Sequence, residues 1–195
     1  VDVVALNDLA DARTMAHLLR YDSNLGPFDG EVELADGTLR AAGEEMRIFV
    51  TGGSGYIGRG VLRALAKAGH RMIGLARSDG AAKVLRKLGA DVVLGGLAEP
   101  ERWRSQVRGH DAALHLAMVQ GKAAAEIDWR TVEVLLKEAL SERGPSHVIY
   151  TSGVMVLGDT GNAAAGEEAR TSSAAVAVAW RPAVERSVLE AATGR

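Results

Sequence analysis

The chain has 195 residues, 47% of them hydrophobic, which suits one α/β domain with room for little more. It contains no cysteine, which excludes disulfides, zinc–thiolate sites and a cysteine nucleophile. No apolar run approaches the roughly 18 residues that span a bilayer, and the N-terminus has no signal-peptide pattern. We therefore expect a cytoplasmic protein without a membrane partner.

Charge divides the chain into two segments. Residues 1–45 hold ten acidic and three basic side chains, whereas residues 46–195 hold fifteen acidic and twenty basic ones. The net charges are therefore −7 and +5, and the positive excess is spread along the second segment. This spread does not favour nucleic acid as a partner. It predicts two domains of different origin, 1–45 and 46–195.

The first segment has the pattern of a strand, a helix and a hairpin. Val1 to Leu6 is an apolar strand, and Leu9 to Arg20 has helical spacing behind a candidate N-cap, Asp8. Glu31 to Leu39 predicts a hairpin with a two-residue Asp-Gly turn. Because the first strand is apolar on both faces, it predicts addition to a sheet edge, and therefore a homo-oligomer, or aggregation.

This segment resembles glyceraldehyde-3-phosphate dehydrogenase in three stretches, Val3 to Leu9, Ala16 to Ser23 and Gly30 to Glu33. In that family the acidic residue at the strand end, here Asp8, holds the adenosine ribose of NAD. The family's preceding glycine loop is missing here, and its catalytic cysteine has no counterpart. The resemblance therefore implies a fragment without that activity, in which Asp8 is either an N-cap or a ligand contact.

From Met46 onward, strands and helices alternate. This order predicts an α/β fold, a Rossmann-type doubly wound parallel sheet preceded by the strand–helix–hairpin appendage. The predicted strands are 46–50, 71–76, 91–94, 112–117 and 147–151, and the predicted helices are 57–68, 81–88, 100–107, 123–142 and 180–192.

A glycine turn, Thr51-Gly-Gly-Ser-Gly-Tyr-Ile-Gly58, follows the first of these strands. Gly53, Gly55 and Gly58 have the G-x-G-x-x-G spacing of a dinucleotide-binding loop. The helix that begins near Tyr56 would direct its free N–H groups at the pyrophosphate. The five histidines show no paired metal-ligand spacing, so we predict no metal site. His115 is expected to be a strand residue near the cofactor, or else a ligand contact.

The second segment resembles the extended short-chain dehydrogenase/reductase superfamily, the NAD(P)-dependent epimerase/dehydratase group. Three motifs carry the resemblance: the glycine turn, His110 to Ala117, and Val148 to Gly153 with Gly158-Asp159. It implies an oxidoreductase or epimerase that acts on a nucleotide sugar or a small carbonyl substrate. It also implies a fold truncated at the C-terminus, because the family continues with a small substrate domain. The implied cofactor contacts are Gly52, Gly53, Gly55, Tyr56, Ile57 and Gly58, with Leu116 and Ala117 beside the nicotinamide ribose.

The choice between NAD and NADP is made at the end of the second strand. An NAD enzyme places an acid there for the ribose 2′-hydroxyl, whereas this chain has Arg77 about where the acid would fall. Arg59, after the last glycine, can reach the same region, and two guanidinium groups suit a 2′-phosphate. We therefore expect NADP. NAD remains the alternative because Asp79 is a rival acid, and the arginines can also be solvated surface residues.

The catalytic pair that the family implies, Tyr-x-x-x-Lys, is absent. If Glu185 holds the family register, Arg181 occupies the lysine position and Ala177 the tyrosine position. Thr151 and Ser152 remain as catalytic candidates, although the Ser152 hydroxyl can instead bond to the local backbone. Three hypotheses follow: a working enzyme, a non-catalytic NADPH-binding sensor, and a fused fragment without activity.

Overall fold

The computed structural model describes residues 32–35, 38–41, 45–161, 164–166 and 168–193. Its strands are β1 (Val32–Ala35), β2 (Thr38–Ala41), β3 (Arg47–Thr51), β4 (Arg71–Ala76), β5 (Asp91–Leu94), β6 (Ala112–His115) and β7 (His147–Tyr150). Its α-helices are α1 (Tyr56–Lys67), α2 (Asp79–Lys87), α3 (Ala124–Ala139) and α4 (Arg181–Thr193). Short 3₁₀ segments cover Pro100–Arg102, Arg104–Val107, Val154–Leu157 and Val176–Val178.

The predicted hairpin is confirmed. β1 and β2 pair antiparallel, with Val32 opposite Ala41 and Ala35 opposite Thr38. The Asp-Gly turn, the strand Val1 to Leu6, the helix Leu9 to Arg20 and its candidate cap Asp8 lie outside the described residues. The division into domains 1–45 and 46–195 stays a prediction.

The second segment forms a parallel five-stranded sheet in the order β5-β4-β3-β6-β7. From the central strand β3, the chain runs outward through β4 and β5 and then returns to β6 on the other side. Thr51, which ends β3, is paired with His115, which ends β6. Because ligands bind where the strand order reverses in an open α/β sheet, the carboxyl ends of β3 and β6 mark the expected site. The predicted doubly wound Rossmann fold is confirmed.

Alternate residues of β3 enter separate cores on the two sides of the sheet. Ile48 and Val50 belong to one core with Leu62 of α1 and Leu85 of α2. Phe49 belongs to the opposite core, which contains Trp103, Val107, Leu135 and Val148. Since both faces of the sheet are covered, its strands are apolar almost throughout rather than alternately polar.

The helix predicted for 100–107 is instead two 3₁₀ segments separated by Trp103. The side chain of Trp103 is fully buried, and its Nε1 donates a hydrogen bond to the carbonyl of Gly96 at 2.9 Å. Packing this large ring against Phe49, with 5.5 Å between ring centroids, interrupts the regular helix. The strand predicted for 112–117 ends at His115, so Leu116 and Ala117 leave the sheet edge.

Candidate functional site

A cleft of about 440 Å³ opens at the carboxyl ends of β3, β4 and β6. We call it the switch-point cleft. It is lined by Gly52, Ser54, Gly55, Tyr56, Ile57, Gly58, Leu75, Arg77, Ala81, Gly95, Gly96, Leu97, Leu116, Ala117, Met118 and Val119. The structure therefore brings together eight of the ten residues predicted to contact the cofactor. The two that do not line this cleft are Gly53 and Arg59.

The glycine turn has no space for a side chain at Gly52, where it passes the residues that follow β6. Gly52 has a φ of +74°, and a Cβ atom there would lie 2.6 Å from the backbone nitrogen of Ala117. Gly53 is buried instead, and a Cβ atom on it would lie 2.9 Å from both Leu62 and Leu85. Gly52 thus permits close approach of the two cleft walls, whereas Gly53 permits packing on the core.

Helix α1 begins at the cleft without a competing anion. Its N-cap is Gly55, which has no side chain to cap the helix, and its first turn contains no acidic residue. Tyr56 and Ile57 are exposed there, at 98% and 55%. The first-turn N–H groups and the positive end of the helix dipole thus suit a phosphate group. This arrangement fits the pyrophosphate of a dinucleotide.

Arg77 and Arg59, the two arginines predicted to bind the ribose 2′-phosphate, lie in different places. Arg77 follows β4 and lines the cleft as an exposed side chain. Arg59 is exposed on α1, and its Nε donates a hydrogen bond to the carbonyl of Ser54 at 2.8 Å. Asp79, the rival acid, lies in the first turn of α2 behind the N-cap Ser78, and it does not line the cleft.

Sequence reasoning missed part of the cleft lining. Leu75, Ala81, Met118 and Val119 contribute to its walls, as does Ser54 of the glycine turn. Leu75 and Ala81 lie on either side of Arg77 in the sequence, and Met118 and Val119 follow Ala117. Proximity in sequence to a predicted strand end was therefore the signal that could have found them.

Thr151 and Ser152 lie beyond the end of β7, and neither lines the cleft. The Thr151 N–H donates to the carbonyl of His115 at 3.0 Å. The Ser152 hydroxyl donates to a carboxylate oxygen of Glu185 on α4. The interpretation that this hydroxyl bonds to the local backbone was therefore wrong, because its partner is a side chain 33 residues away.

The two positions expected for the catalytic pair, if Glu185 holds the family register, are Ala177 and Arg181. Ala177 is exposed in a 3₁₀ segment, whereas Arg181 is 5% exposed at the start of α4. The Nη1 of Arg181 donates a hydrogen bond to the carbonyl of Thr151 at 3.1 Å. The guanidinium carbon of Arg181 lies 5.6 Å from the ring centroid of Tyr150. Burial raises the pKa of Tyr150 well above its ordinary value, and the adjacent Asp128 carboxylate raises it further. Both effects favour the protonated phenol of Tyr150.

A family model described as the NAD dependent epimerase/dehydratase family matches residues 48–177, well over half of the chain. The chain belongs to this family. Membership makes its cofactor a nicotinamide dinucleotide, in agreement with the glycine turn and the free start of α1. A second model, the NAD binding domain of glyceraldehyde 3-phosphate dehydrogenase, matches residues 1–52. Both resemblances seen in the sequence are confirmed.

Curated relatives match each segment separately. The epimerase/dehydratase segment is 35% identical over 118 residues to a 4-hydroxy-2-methyl-3-oxo-4-farnesyl-3,4-dihydroquinoline-1-oxide ketoreductase of Stigmatella aurantiaca, covering 58% of this chain and 35% of that protein. Glyceraldehyde-3-phosphate dehydrogenase of Clostridium acetobutylicum is 47% identical over 49 residues, which is 25% of this chain and 15% of that protein. The chain therefore spans about a third of the ketoreductase and less of the dehydrogenase.

Solved structures of epimerases share the fold. The UDP-Glc/GlcNAc 4-epimerase of Campylobacter jejuni superimposes with a TM-score of 0.66 at 18% identity, over 77% of this chain and 50% of that one. UDP-glucose-4-epimerase of Stenotrophomonas maltophila, solved with bound NAD, gives a TM-score of 0.62 at 20% identity, over 77% of this chain and 50% of that one. In the described part of this chain, no α-helix is long and apolar enough to cross a membrane. The same residues hold no cluster of three or more potential metal ligands.

Proposed function

We propose that this chain binds NADP in the switch-point cleft and belongs to an oxidoreductase or epimerase. The substrate class is a nucleotide sugar or a small carbonyl or hydroxyl compound. The single observation that carries the proposal is the glycine turn at the strand-order reversal, where the uncapped start of α1 faces a cleft of about 440 Å³. In this proposal, residues 46–195 form the cofactor-binding domain and residues 1–45 are a separate appendage.

Each part of the cleft suits one part of the dinucleotide. Gly52, Gly55, Tyr56, Ile57 and Gly58 surround the start of α1 and would hold the pyrophosphate, with Gly53 supporting the turn from the core side. Leu116 and Ala117, at the end of β6, would contact the nicotinamide ribose.

NADP is favoured over NAD by the charges around the cleft. Arg77 is a cleft residue, whereas Asp79 lies outside the lining in the first turn of α2. A guanidinium group can form two hydrogen bonds to a phosphate, and a carboxylate would repel it. Arg59 is close enough in sequence to the glycine turn to add positive charge, although it holds the Ser54 carbonyl.

The bound cofactor would supply or accept a hydride at C4 of its nicotinamide ring. Ser152 and Thr151 are the polar residues that we propose for the substrate oxygen. To bind the substrate oxygen, the Ser152 hydroxyl would have to give up the hydrogen bond that it now donates to the Glu185 carboxylate. Family membership and the ketoreductase relative favour this enzymatic function over a sensor or an inactive fragment.

Fluorescence titration with NADPH and NADH tests cofactor binding. We expect saturable binding with NADPH preferred, and binding of neither nucleotide would overturn the proposal. Hydride exchange with a panel of carbonyl compounds and UDP-sugars then tests the activity. Turnover that is abolished in Ser152→Ala while NADPH binding is retained would support the enzyme. Binding without any turnover would support the sensor instead.

A further inference from the structure

We propose that Asp128, which lies on α3 outside the switch-point cleft, is a positioning residue for cofactor binding. Asp128 is 2% exposed and accepts two hydrogen bonds. Its Oδ1 is 3.2 Å from His115 Nε2, and its Oδ2 accepts the Tyr150 hydroxyl at 2.7 Å. His115 Nδ1 is in turn 2.5 Å from the Thr51 hydroxyl. These four residues form the Thr51–Tyr150 network.

The chemistry of the carboxylate fixes the direction of the two bonds that Asp128 receives. A carboxylate only accepts, so His115 Nε2–H and the Tyr150 hydroxyl each donate a hydrogen bond to Asp128. In the neutral ring, His115 Nδ1 then accepts from the Thr51 hydroxyl. Asp128 therefore selects the Nε2–H tautomer and, through it, the orientation of Thr51.

The network joins the two walls of the cleft. Thr51 immediately precedes Gly52 of the glycine turn, and His115 immediately precedes Leu116 and Ala117 of the opposite wall. The Leu116 N–H also donates to the Thr51 carbonyl at 3.2 Å. Since Gly52 packs against the backbone of Leu116 and Ala117 without space for a Cβ atom, a shift of either wall changes the glycine turn.

Burial makes the network depend on its carboxylate. All four members are buried, with Thr51 and His115 at 0% and 1% exposure. A fully satisfied buried network holds its members in one arrangement, whereas a lost acceptor leaves donors unpaired. The guanidinium carbon of Arg181 lies 5.6 Å from the Tyr150 ring centroid, so α4 also contacts a member of the network. The contacts therefore extend from α3 through β7 to α4.

The proposal rests on the proposed cofactor function, and two measurements on the full chain separate them. We compare wild type, Asp128→Asn and Glu138→Gln. Glu138 is a second buried carboxylate on α3, and it pairs with Arg104 and Arg108 away from the cleft. The readouts are NADPH affinity by fluorescence titration, below the unfolding temperature of each variant, and the His115 tautomer by ¹⁵N NMR.

We expect the Nε2–H tautomer in wild type and Glu138→Gln, and a mixture of tautomers in Asp128→Asn. NADPH affinity should fall roughly 3- to 30-fold in Asp128→Asn, the range of coupling through contiguous networks. It should be unchanged in Glu138→Gln even though that variant is less stable. Equal weakening in both variants, or tight binding by Asp128→Asn with an altered tautomer, would overturn the positioning role.

If Asp128→Asn fails to fold, Thr51→Val removes only the hydroxyl at the other end of the network. Weaker NADPH binding by Thr51→Val that is restored in Thr51→Ser supports the proposal, and wild-type affinity in Thr51→Val overturns it. If wild type binds neither nucleotide, the proposed function fails. The tautomer measurement then shows whether the network itself exists.

Discussion

Gly58 lies directly against Gly52 where α1 crosses the end of β3. A Cβ atom on Gly58 would be 2.2 Å from the Gly52 carbonyl oxygen and 2.6 Å from the Gly53 Cα. No side chain fits at that distance, so the helix can approach the glycine turn only because residue 58 has none. This contact determines how closely the N-terminus of α1 can approach a bound pyrophosphate.

Replacing Gly58 with alanine should therefore damage both stability and binding. We expect a loss of about 1–3 kcal/mol in the free energy of unfolding, the usual cost of overpacking, together with weaker NADPH binding. The matched control is Gly60→Ala, where a new Cβ atom would meet nothing within 4 Å. That variant should gain about 0.5–1 kcal/mol from helix propensity. Urea denaturation checks both, and a neutral Gly58→Ala would contradict the observed packing.

Arg77 should decide between the two cofactors. In Arg77→Ser we expect NADPH to bind about tenfold or more weakly, because a charge-assisted hydrogen bond contributes about 1.5–3 kcal/mol. NADH affinity should change little. Arg63→Ser serves as the control, because Arg63 is an exposed arginine of α1 that does not line the cleft. Parallel titrations give the ratio of affinities, and an equal loss for both nucleotides would exclude a role in reading the 2′-phosphate.

Glu138 should contribute far more to stability than its exposed neighbour Glu133. Glu138 is fully buried between Arg104 and Arg108, which it holds at 2.5 and 2.6 Å, whereas Glu133 pairs with Lys137 on the surface of α3. Removing the buried carboxylate leaves two half-exposed arginines without their charged partner, so Glu138→Gln should cost about 1.5–3 kcal/mol, the usual contribution of hydrogen bonds to charged groups. Glu133→Gln should cost about 0.5 kcal/mol or less. Chemical denaturation of both variants tests this difference.

Acidification should destabilise the chain through His110. Burial lowers the pKa of His110 below its ordinary 6.5, although a hydrogen bond to the Val107 carbonyl opposes this. The unfolded chain therefore takes up the proton at higher pH than the folded one. The contribution of neutral, buried His110 to the free energy of unfolding is therefore fully present above about pH 6.5. It is lost as the pH falls towards the lower folded-state pKa.

Denaturation at pH 7.5, 6.5 and 5.5 tests this contribution by comparing wild type with His110→Gln, which cannot titrate. The variant should lose less stability between pH 6.5 and 5.5 than wild type does. Identical slopes in the two proteins would show that His110 is not the group responsible.

The glycine turn and the alternating strands could be predicted because they are local signals. Gly53, Gly55 and Gly58 stand in one short stretch, and their spacing requires only that a strand precede them and a helix follow. Arg77 followed from its place at a strand end, and the family resemblance implied Leu116 and Ala117. Apart from Gly53, all of these residues line one cleft in the structure.

Other features depend on contacts between residues that are distant in the chain. Trp103 interrupts a predicted helix because its ring is buried beside Phe49, 54 positions earlier. The Ser152 hydroxyl donates a hydrogen bond to Glu185, and only the packing of α4 brings that carboxylate within reach. Neither pairing leaves a periodic or short-range pattern in the sequence.

The sequence by itself thus determined the fold class, the family and the residues of the glycine turn, because these follow from local spacing and from the order of elements. Only the tertiary structure decided that Asp128 bonds His115 and Tyr150, that Arg181 is buried against Tyr150, and that Asp79 lies outside the cleft. The physical reason is that a buried polar group must find its partner in three dimensions. That partner is set by the register of β3, β6 and β7 and by the packing of helices on them, rather than by sequence neighbours.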